Sequence, residues 1–310
     1  MNRLVAIVGP TGIGKSQVAL RLAQTYDGEI VSADSRQVYR YMDIGTAKPS
    51  PQELSLVPHH LVNIVNPDED FSLAQYQRLA YEAMRDIQQR NKLPLLVGGS
   101  GLYIWAVLEG WVIPQVPPDL KYRHNSEEKV ARVGTDELYR ELMKVDPEAA
   151  VKIERRNVRR IVRALEVRRS TGTPFSQLQQ KQAPPFNTFI VGLTTDRAEL
   201  YRRIDLRVDR MIEQGLVEEV EKLVNMGYNF NLPAMSGIGY KQIGMLLRSE
   251  LTLASAIEQI KFETHRFVRH QYSWFHLKDD RIQWFDTQGN IELQITTPLA
   301  KFIGGEVDKP

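Results

Sequence analysis

The chain has 310 residues, enough to bury a full core and to carry one large domain with a second, smaller one. Hydrophobic residues make up 42% and charged residues 25%, an ordinary globular balance, and no apolar run approaches the roughly 18 residues of a membrane span, so no membrane anchor is expected. Zero cysteines exclude disulfides, thiolate metal sites and cysteine catalysis, and a net charge of +2 leaves any polyanionic partner to be argued from local charge. The chain enters its first strand without a charged lead, apolar h-region or cleavage site, so no signal peptide is expected and the cytoplasm is the default compartment.

Residues 3 to 8 (RLVAIV) predict a buried strand, and residues 15 to 26 a helix with Val18, Leu20 and Leu22 among its apolar positions. Between them, GPTGIGKS fits the phosphate-cradling pattern G-x-x-x-x-G-K-[ST] at Gly9, Gly14, Lys15 and Ser16. A second strand, EIVSAD at 29 to 34, ends on an acid. A polar connection rich in turn residues, DIGTAKPSP at 43 to 51, leads to the apolar stretch HLVNIV at 60 to 65. A helix follows from the N-cap Ser72 to about Arg90. LPLLVGGSGLY at 93 to 103 repeats the order strand, glycine turn, helix. This alternation predicts an α/β fold, a P-loop NTPase-like parallel sheet with helices on both faces. Ligands then bind at the carboxyl ends of the strands, where Gly9, Asp34 and Gly98 lie.

After the proline-rich VIPQVPPD (112 to 119), only helical periodicity runs from about Leu120 to Gln182, and APPFN at 183 to 187 closes it. The expected organisation is a P-loop core of residues 1–115 and 188–310 around an all-helical insertion, 116–187. FIVGLTT (189 to 195) resumes a buried strand, and residues 196 to 227 predict a long or twice-broken helix. Helices at about 238 to 248 and 253 to 276 and a short strand IQWFD at 282 to 286 complete the chain, with a frayed tail expected from about Gly304.

In the loop, glycines let backbone N–H groups converge on phosphate oxygens, Lys15 adds a full charge and Ser16 can ligate Mg²⁺ through a bound phosphate. P-loop nucleotidases usually end a further apolar strand on a magnesium-holding acid, but here LPLLV ends in Gly98 and Gly99. The acid is displaced to Asp34, which suits a base acting on an incoming nucleophile better than a water-activating magnesium site. The insertion carries eight basic residues against Glu154 and Glu166 between Lys152 and Arg169. Arg156, Arg159, Arg160 and Arg163 recur at helical spacing, so one face is expected to present guanidiniums to a phosphate backbone while Ile153, Ile161 and Leu165 serve the core. In FETHRFVRHQYSWFH (262 to 276), Phe262, Phe267 and Phe275 are expected mostly in the core, with His265, Arg266, Arg269 and Gln271 left for polyanion contact. Six scattered histidines form no zinc pattern, and adjacent His59 and His60 are expected to point apart. The residues alone leave open an enzyme with a diphosphate leaving group that acts on RNA or on free nucleotides, a small-molecule kinase on the same sheet, and a non-enzymatic RNA-binding P-loop protein.

GPTGIGKS, SADSRQVYRYMDIGTAKP (32 to 49), PHHLV (58 to 62), GGSGLY (98 to 103), RIVRALEV (160 to 167) followed by TGTP, GIGYKQ (237 to 242) and RHQYSWF (269 to 275) resemble, in this order, the signature stretches of the bacterial tRNA dimethylallyltransferase family. The resemblance implies transfer of a dimethylallyl group from dimethylallyl diphosphate to the N6 amine of the adenosine just 3′ of the anticodon. It implies that Gly9, Pro10, Thr11, Gly12, Ile13, Gly14, Lys15 and Ser16 cradle the departing diphosphate, with Mg²⁺ as cofactor, held by Ser16 and the diphosphate, and with Arg207 gripping the same group. By the same resemblance Asp34 is the general base. Asp34, Ser35, Arg36 and Gln37, with Arg159, Arg160, Ile161, Val162 and Arg163, match tRNA-contact segments; Ser100 and Arg123 match single contacts. Ser16 and Ser100 stand where the family often has threonine, and His270 where it often has arginine. The partners implied are a tRNA anticodon stem-loop and dimethylallyl diphosphate, with no membrane, and a monomer is expected.

Overall fold

The computed structural model describes residues 2–178 and 180–304. The tail expected to fray beyond Gly304 lies outside the described residues. The chain opens with β1 (Arg3–Val8), α1 (Lys15–Thr25), β2 (Gly28–Ser32), α2 (Pro51–Leu56), β3 (His59–His60), α3 (Leu73–Gln89), β4 (Leu93–Gly98) and α4 (Gly101–Leu108). Ser72 caps α3 as expected: its side chain accepts from the Gln75 N–H while the Gln75 side chain accepts from the Ser72 N–H. The apolar stretch at 60 to 65 forms a strand only at its first residue, followed by left-handed Leu61 and Asn63.

The next elements are all helical: α5 (Leu120–Val133), α6 (Thr135–Val145), α7 (Pro147–Lys152), α8 (Val158–Thr171) and α9 (Phe175–Leu178). They belong to a compact unit, Glu109–Ala183, distinct from the sheet unit made of the residues up to Leu108 and from Pro184 onward. Its entry and exit segments pair antiparallel, the Val112 N–H donating to Gln180 O and the Gln182 N–H to Gly110 O, each at 2.8 Å. Leu138, Leu142, Ala149, Ala150, Ile153, Ile161, Val162, Ala164 and Leu165 give this unit its own core.

Beneath α8 lies Glu166, which is only 3% exposed. Arg123 grips it with Nε and Nη2 at 2.8 and 2.9 Å, Arg163 donates Nη1 at 2.6 Å, and the Asp119 N–H adds a fourth bond at 2.8 Å. Burial pushes the Glu166 carboxyl up, but these donors outweigh it and hold the pKa below the ordinary glutamate value. Removing the acceptor takes a partner from two partly exposed guanidiniums and from the Asp119 N–H, so Glu166→Ala is expected to destabilise the helical unit by about 1–3 kcal/mol. Hydrogen exchange at the Leu138 and Leu142 amides checks this. Unchanged protection there would mean the network adds nothing to stability.

The chain returns through β5 (Asn187–Thr194), α10 (Arg197–Glu213), α11 (Leu216–Asn225), α12 (Tyr240–Leu247), α13 (Leu253–Trp274), β6 (Ile282–Asp286) and α14 (Ile291–Gly304). The stretch from 196 to 227 breaks once, at left-handed Gly215 (φ 97°), instead of twice. All strands run parallel in the order β3-β2-β4-β1-β5-β6. Val5, Ile7, Leu95, Val97, Val191 and Leu193 face one side of the sheet, where they pack with α1, α10 and α14; α3 and α4 lie against β2 and β4. β1 is central, between β4 and β5, so the loop after it sits where sheet order places ligands.

Candidate active site

Three turns meet at the carboxyl edge of the sheet. The first is the loop after β1. Gly9, Gly12 and Gly14 have φ of 143°, 80° and 100°, a conformation that side chains disfavour, and a Cβ on Gly9 would lie 2.7 Å from Leu193 O. The loop delivers Lys15 and Ser16 at the start of α1, where free N–H groups and the helix dipole favour an anion. Lys15 Nζ donates to Pro10 O at 2.8 Å, curling the side chain back over the loop. Burial of this amine, and then the charge of Arg207, push its pKa down to about 7, with Asp34 pulling the other way.

The second turn follows β2. Ala33 joins β4 through its N–H to Val97 O (2.7 Å), and Asp34 comes next, two residues beyond the strand. Asp34 Oδ1 accepts from the Arg36 N–H at 2.8 Å and the Gln37 N–H at 3.4 Å, which fixes the carboxylate and leaves Oδ2 without a hydrogen bond among the described residues. The third turn follows β4. A Cβ on Gly98 would stand 2.1 Å from Ala33 O, so glycine here is what lets the two turns touch. Ser100 Oγ accepts from the Ser35 N–H at 3.1 Å and locks them together.

From α10, Arg207 projects to the same place. Burial pushes its guanidinium pKa down while Asp34 raises it, so Lys15, Arg207 and Asp34 form one electrostatic cluster of two cations and one carboxylate. A cleft of about 1150 Å³ opens beside it, lined by Gly12 to Val18, by Arg202, Arg203, Arg207 and Arg210 of α10, and by Asp43, Ile44, Ala47 and Lys48. Asp34 and Ser100 are not in that wall; they sit with the other two turns. Ser16 is exposed in the cleft, and no hydrogen bond occupies its hydroxyl among the described residues. Among those residues no group of three or more acids or histidines gathers to hold a metal. A single hydroxyl beside a phosphate cradle fits Mg²⁺ bound mostly through substrate oxygens and water.

Several expected contact residues are engaged elsewhere. The Arg36 guanidinium donates to Pro233 O and Ala234 O, and the Gln37 side-chain amide donates to Thr46 O and Ala47 O and accepts from Ser32. Ile161 and Val162 are buried in the core of the helical unit, and Arg123 and Arg163 hold Glu166. Arg156 lies in the turn before α8, because Asn157 is the N-cap. Of the arginine stripe on α8, Arg159 and Arg160 remain exposed. Phe262 and Phe267 of α13 are exposed, and of the three only Phe275, just past the end of that helix, is buried, which reverses the expectation for the first two. Nor is Gln271 left for polyanion contact: it is buried, its Oε1 accepts from the Thr11 N–H at 2.8 Å, and its Nε2 donates to Gly99 O at 3.0 Å. It thereby ties the phosphate loop to the glycine turn. Arg269 donates to the Tyr201 hydroxyl, and His265 stacks on the Tyr201 ring 2.8 Å from Asp205. His59 bonds Val57 O and His60 bonds Glu29, consistent with side chains pointing apart.

Comparison with known proteins agrees with this arrangement. The family model described as IPP transferase matches residues 37–278, and that of isopentenyl transferase matches residues 2–64. A tRNA dimethylallyltransferase of Dehalococcoides mccartyi is 49% identical over 300 residues, covering 97% of this chain and 92% of the relative. One from a Roseiflexus species is 51% identical, covering 89% and 90%. Among solved structures, the full-length tRNA isopentenylpyrophosphate transferase of Bacillus halodurans is 40% identical with a TM-score of 0.72, covering 98% of this chain and 96% of that one. A eukaryotic dimethylallyltransferase described as acting on tRNA is 27% identical with a TM-score of 0.84, covering 98% and 80%. The similarity thus runs along nearly the whole length of both this chain and these relatives, and the chain belongs to the tRNA dimethylallyltransferase family.

Proposed function

We propose that this protein transfers a dimethylallyl group from dimethylallyl diphosphate to the exocyclic N6 amine of the adenosine 3′ of the anticodon in tRNA, with Asp34 as general base and the P-loop holding the leaving diphosphate. The observation that carries the reading is the cluster of Lys15, Arg207 and Asp34: two half-buried cations where an anion would leave, and a carboxylate beside them. A nucleotidase would want an acid after β4, and that position is Gly98 packed on Ala33.

The chemistry follows from these charges. As the allylic carbon–oxygen bond breaks, its electron pair goes to the diphosphate, and Lys15, Arg207 and the loop N–H groups stabilise that growing charge. Ser16 would contact Mg²⁺, which when bound adds positive charge at the leaving group. The adenine amine is a weak nucleophile because its lone pair is delocalised into the ring. Asp34 Oδ2 takes its proton as the carbon–nitrogen bond forms. To bring the amine to such a site the base must leave the anticodon stack. The naming of relatives as tRNA enzymes, and the exposed Arg159 and Arg160, support RNA as the acceptor.

Incubation with labelled dimethylallyl diphosphate and either tRNA or AMP tests the reading: label is expected on tRNA, and label on AMP alone would overturn it. Charge reversal at Arg159 and Arg160 is expected to weaken tRNA binding and flatten its salt dependence, by about one unit of log–log slope per lost phosphate contact. A binding series against salt checks this; wild-type behaviour would reduce the pair to a solvated face.

A further inference from the structure

GIGYKQ and the segment Asp43 to Lys48 stood out in the sequence, yet neither is needed by the chemistry above. In the structure they meet at one carboxylate. Glu219, on α11, receives three consecutive backbone N–H groups: Asp43 at 2.8 Å and Ile44 at 2.7 Å on Oε2, and Gly45 at 3.1 Å on Oε1. Successive N–H groups converging in this way make an anion-binding concavity, and here the anion is the protein's own side chain. The Tyr240 hydroxyl donates to Oε1 at 2.6 Å and so fixes the carboxylate from behind. Tyr240 also packs directly against Gly45, where a Cβ would stand 2.5 Å from Cε2, so the segment can approach only as glycine.

On its other flank the segment is held by Lys48. This lysine donates to Tyr39 O, Asp43 Oδ1 and Asn63 Oδ1 at 2.5, 2.7 and 2.5 Å. All three ammonium protons are used, so Lys48 braces the segment instead of serving a phosphate. Asp43, Ile44, Ala47 and Lys48 of the segment line the cleft beside the phosphate loop; Asp43 and Lys48 pair with each other, so the apolar surface it offers there is Ile44 and Ala47. It also touches the general-base turn, because Thr46 O and Ala47 O accept from Gln37, whose own N–H bonds Asp34.

We propose that Glu219, held by Tyr240, is a positioning residue that keeps Ile44 and Ala47 in place as the surface for the prenyl tail, between the diphosphate cradle and the Asp34 turn. This rests on the prenyl-transfer reading of the site. The division of labour is specific: Lys15 and Arg207 hold the phosphates, and the Glu219 brace acts on the hydrocarbon end alone.

The test compares the prenyl donor with inorganic diphosphate, which has no tail. Glu219→Gln keeps the size but turns one accepting oxygen into a donor, so either the Asp43 and Ile44 bonds or the Gly45 and Tyr240 bonds are lost along with the charge, and the KM for dimethylallyl diphosphate is expected to rise about tenfold. The inhibition constant of inorganic diphosphate and the KM for tRNA stay at wild-type values. Tyr240→Phe, which removes only the hydroxyl, moves the donor KM in the same direction and less. An unchanged donor KM in both variants overturns the proposal. So does a parallel weakening of inorganic diphosphate with a lowered Tm, because that is a general loosening. Absence of label transfer to tRNA by the wild-type protein would instead remove the underlying reading.

Discussion

Asp34→Asn is expected to lower single-turnover prenyl transfer by about 10²–10⁴, the range of a positioned general base. The substitution isolates the proton transfer. An asparagine Oδ1 can still accept from the Arg36 and Gln37 N–H groups that fix the Asp34 carboxylate, so the turn keeps its shape. Gly98 still packs on Ala33 and Ser100 still receives the Ser35 N–H. The affinities for tRNA and donor are therefore expected to stay at wild-type values while the chemical step collapses. A quench-flow measurement at saturating tRNA checks this, and a wild-type rate would remove Asp34 from the reaction.

The second large effect belongs to Lys15. Lys15→Met deletes one of the two half-buried cations that on this reading face the leaving group, and is expected to lower kcat by about 10²–10³, as for loss of one preorganised charge-stabilising donor. The same residue makes donor binding pH-dependent. Burial, and then Arg207, hold its pKa near 7 in the free protein, so above that pH it is largely neutral. A bound diphosphate is an adjacent anion and raises that pKa, so binding at pH 8 takes up a proton, and affinity falls as pH climbs from about 7 towards 9. Calorimetry in two buffers of different ionisation enthalpy is expected to show net proton uptake in the wild type and less in Lys15→Met. No uptake would mean that Lys15 is already charged when free. For folding the sign is opposite: the unfolded chain binds more protons between about 7 and 10.5, so stability from this group rises with pH across that window.

What was legible in the sequence was local. The phosphate loop, the Ser72 cap and the strand IQWFD each announce themselves within a few residues, and each stands where expected. The helix α2 was missed inside a polar stretch although Ser50, Pro51 and Glu53 spell a capping box with proline at the first turn. The helix α14 was missed because Pro298 interrupts its pattern. Contacts across long separations left no such signal. Gln271 reaches Thr11 across 260 positions, and nothing near it marks it as a clamp instead of a surface polar residue. Glu166 counted in the sequence only as one of two acids among eight basic residues, yet buried it engages Arg163 and Arg123, while Arg159 and Arg160 stay exposed. Exposed Phe262 and Phe267 show the same limit, since helical spacing alone does not say which face meets the sheet.

The most direct measurement of the central claim is mass spectrometry of the anticodon-loop fragment after tRNA is incubated with the protein, Mg²⁺ and dimethylallyl diphosphate. The account predicts a gain of one dimethylallyl group on the adenosine 3′ of the anticodon, absent with Asp34→Asn under the same conditions. A fragment unchanged in mass with the wild-type protein, or the group found on a different nucleotide, would contradict it.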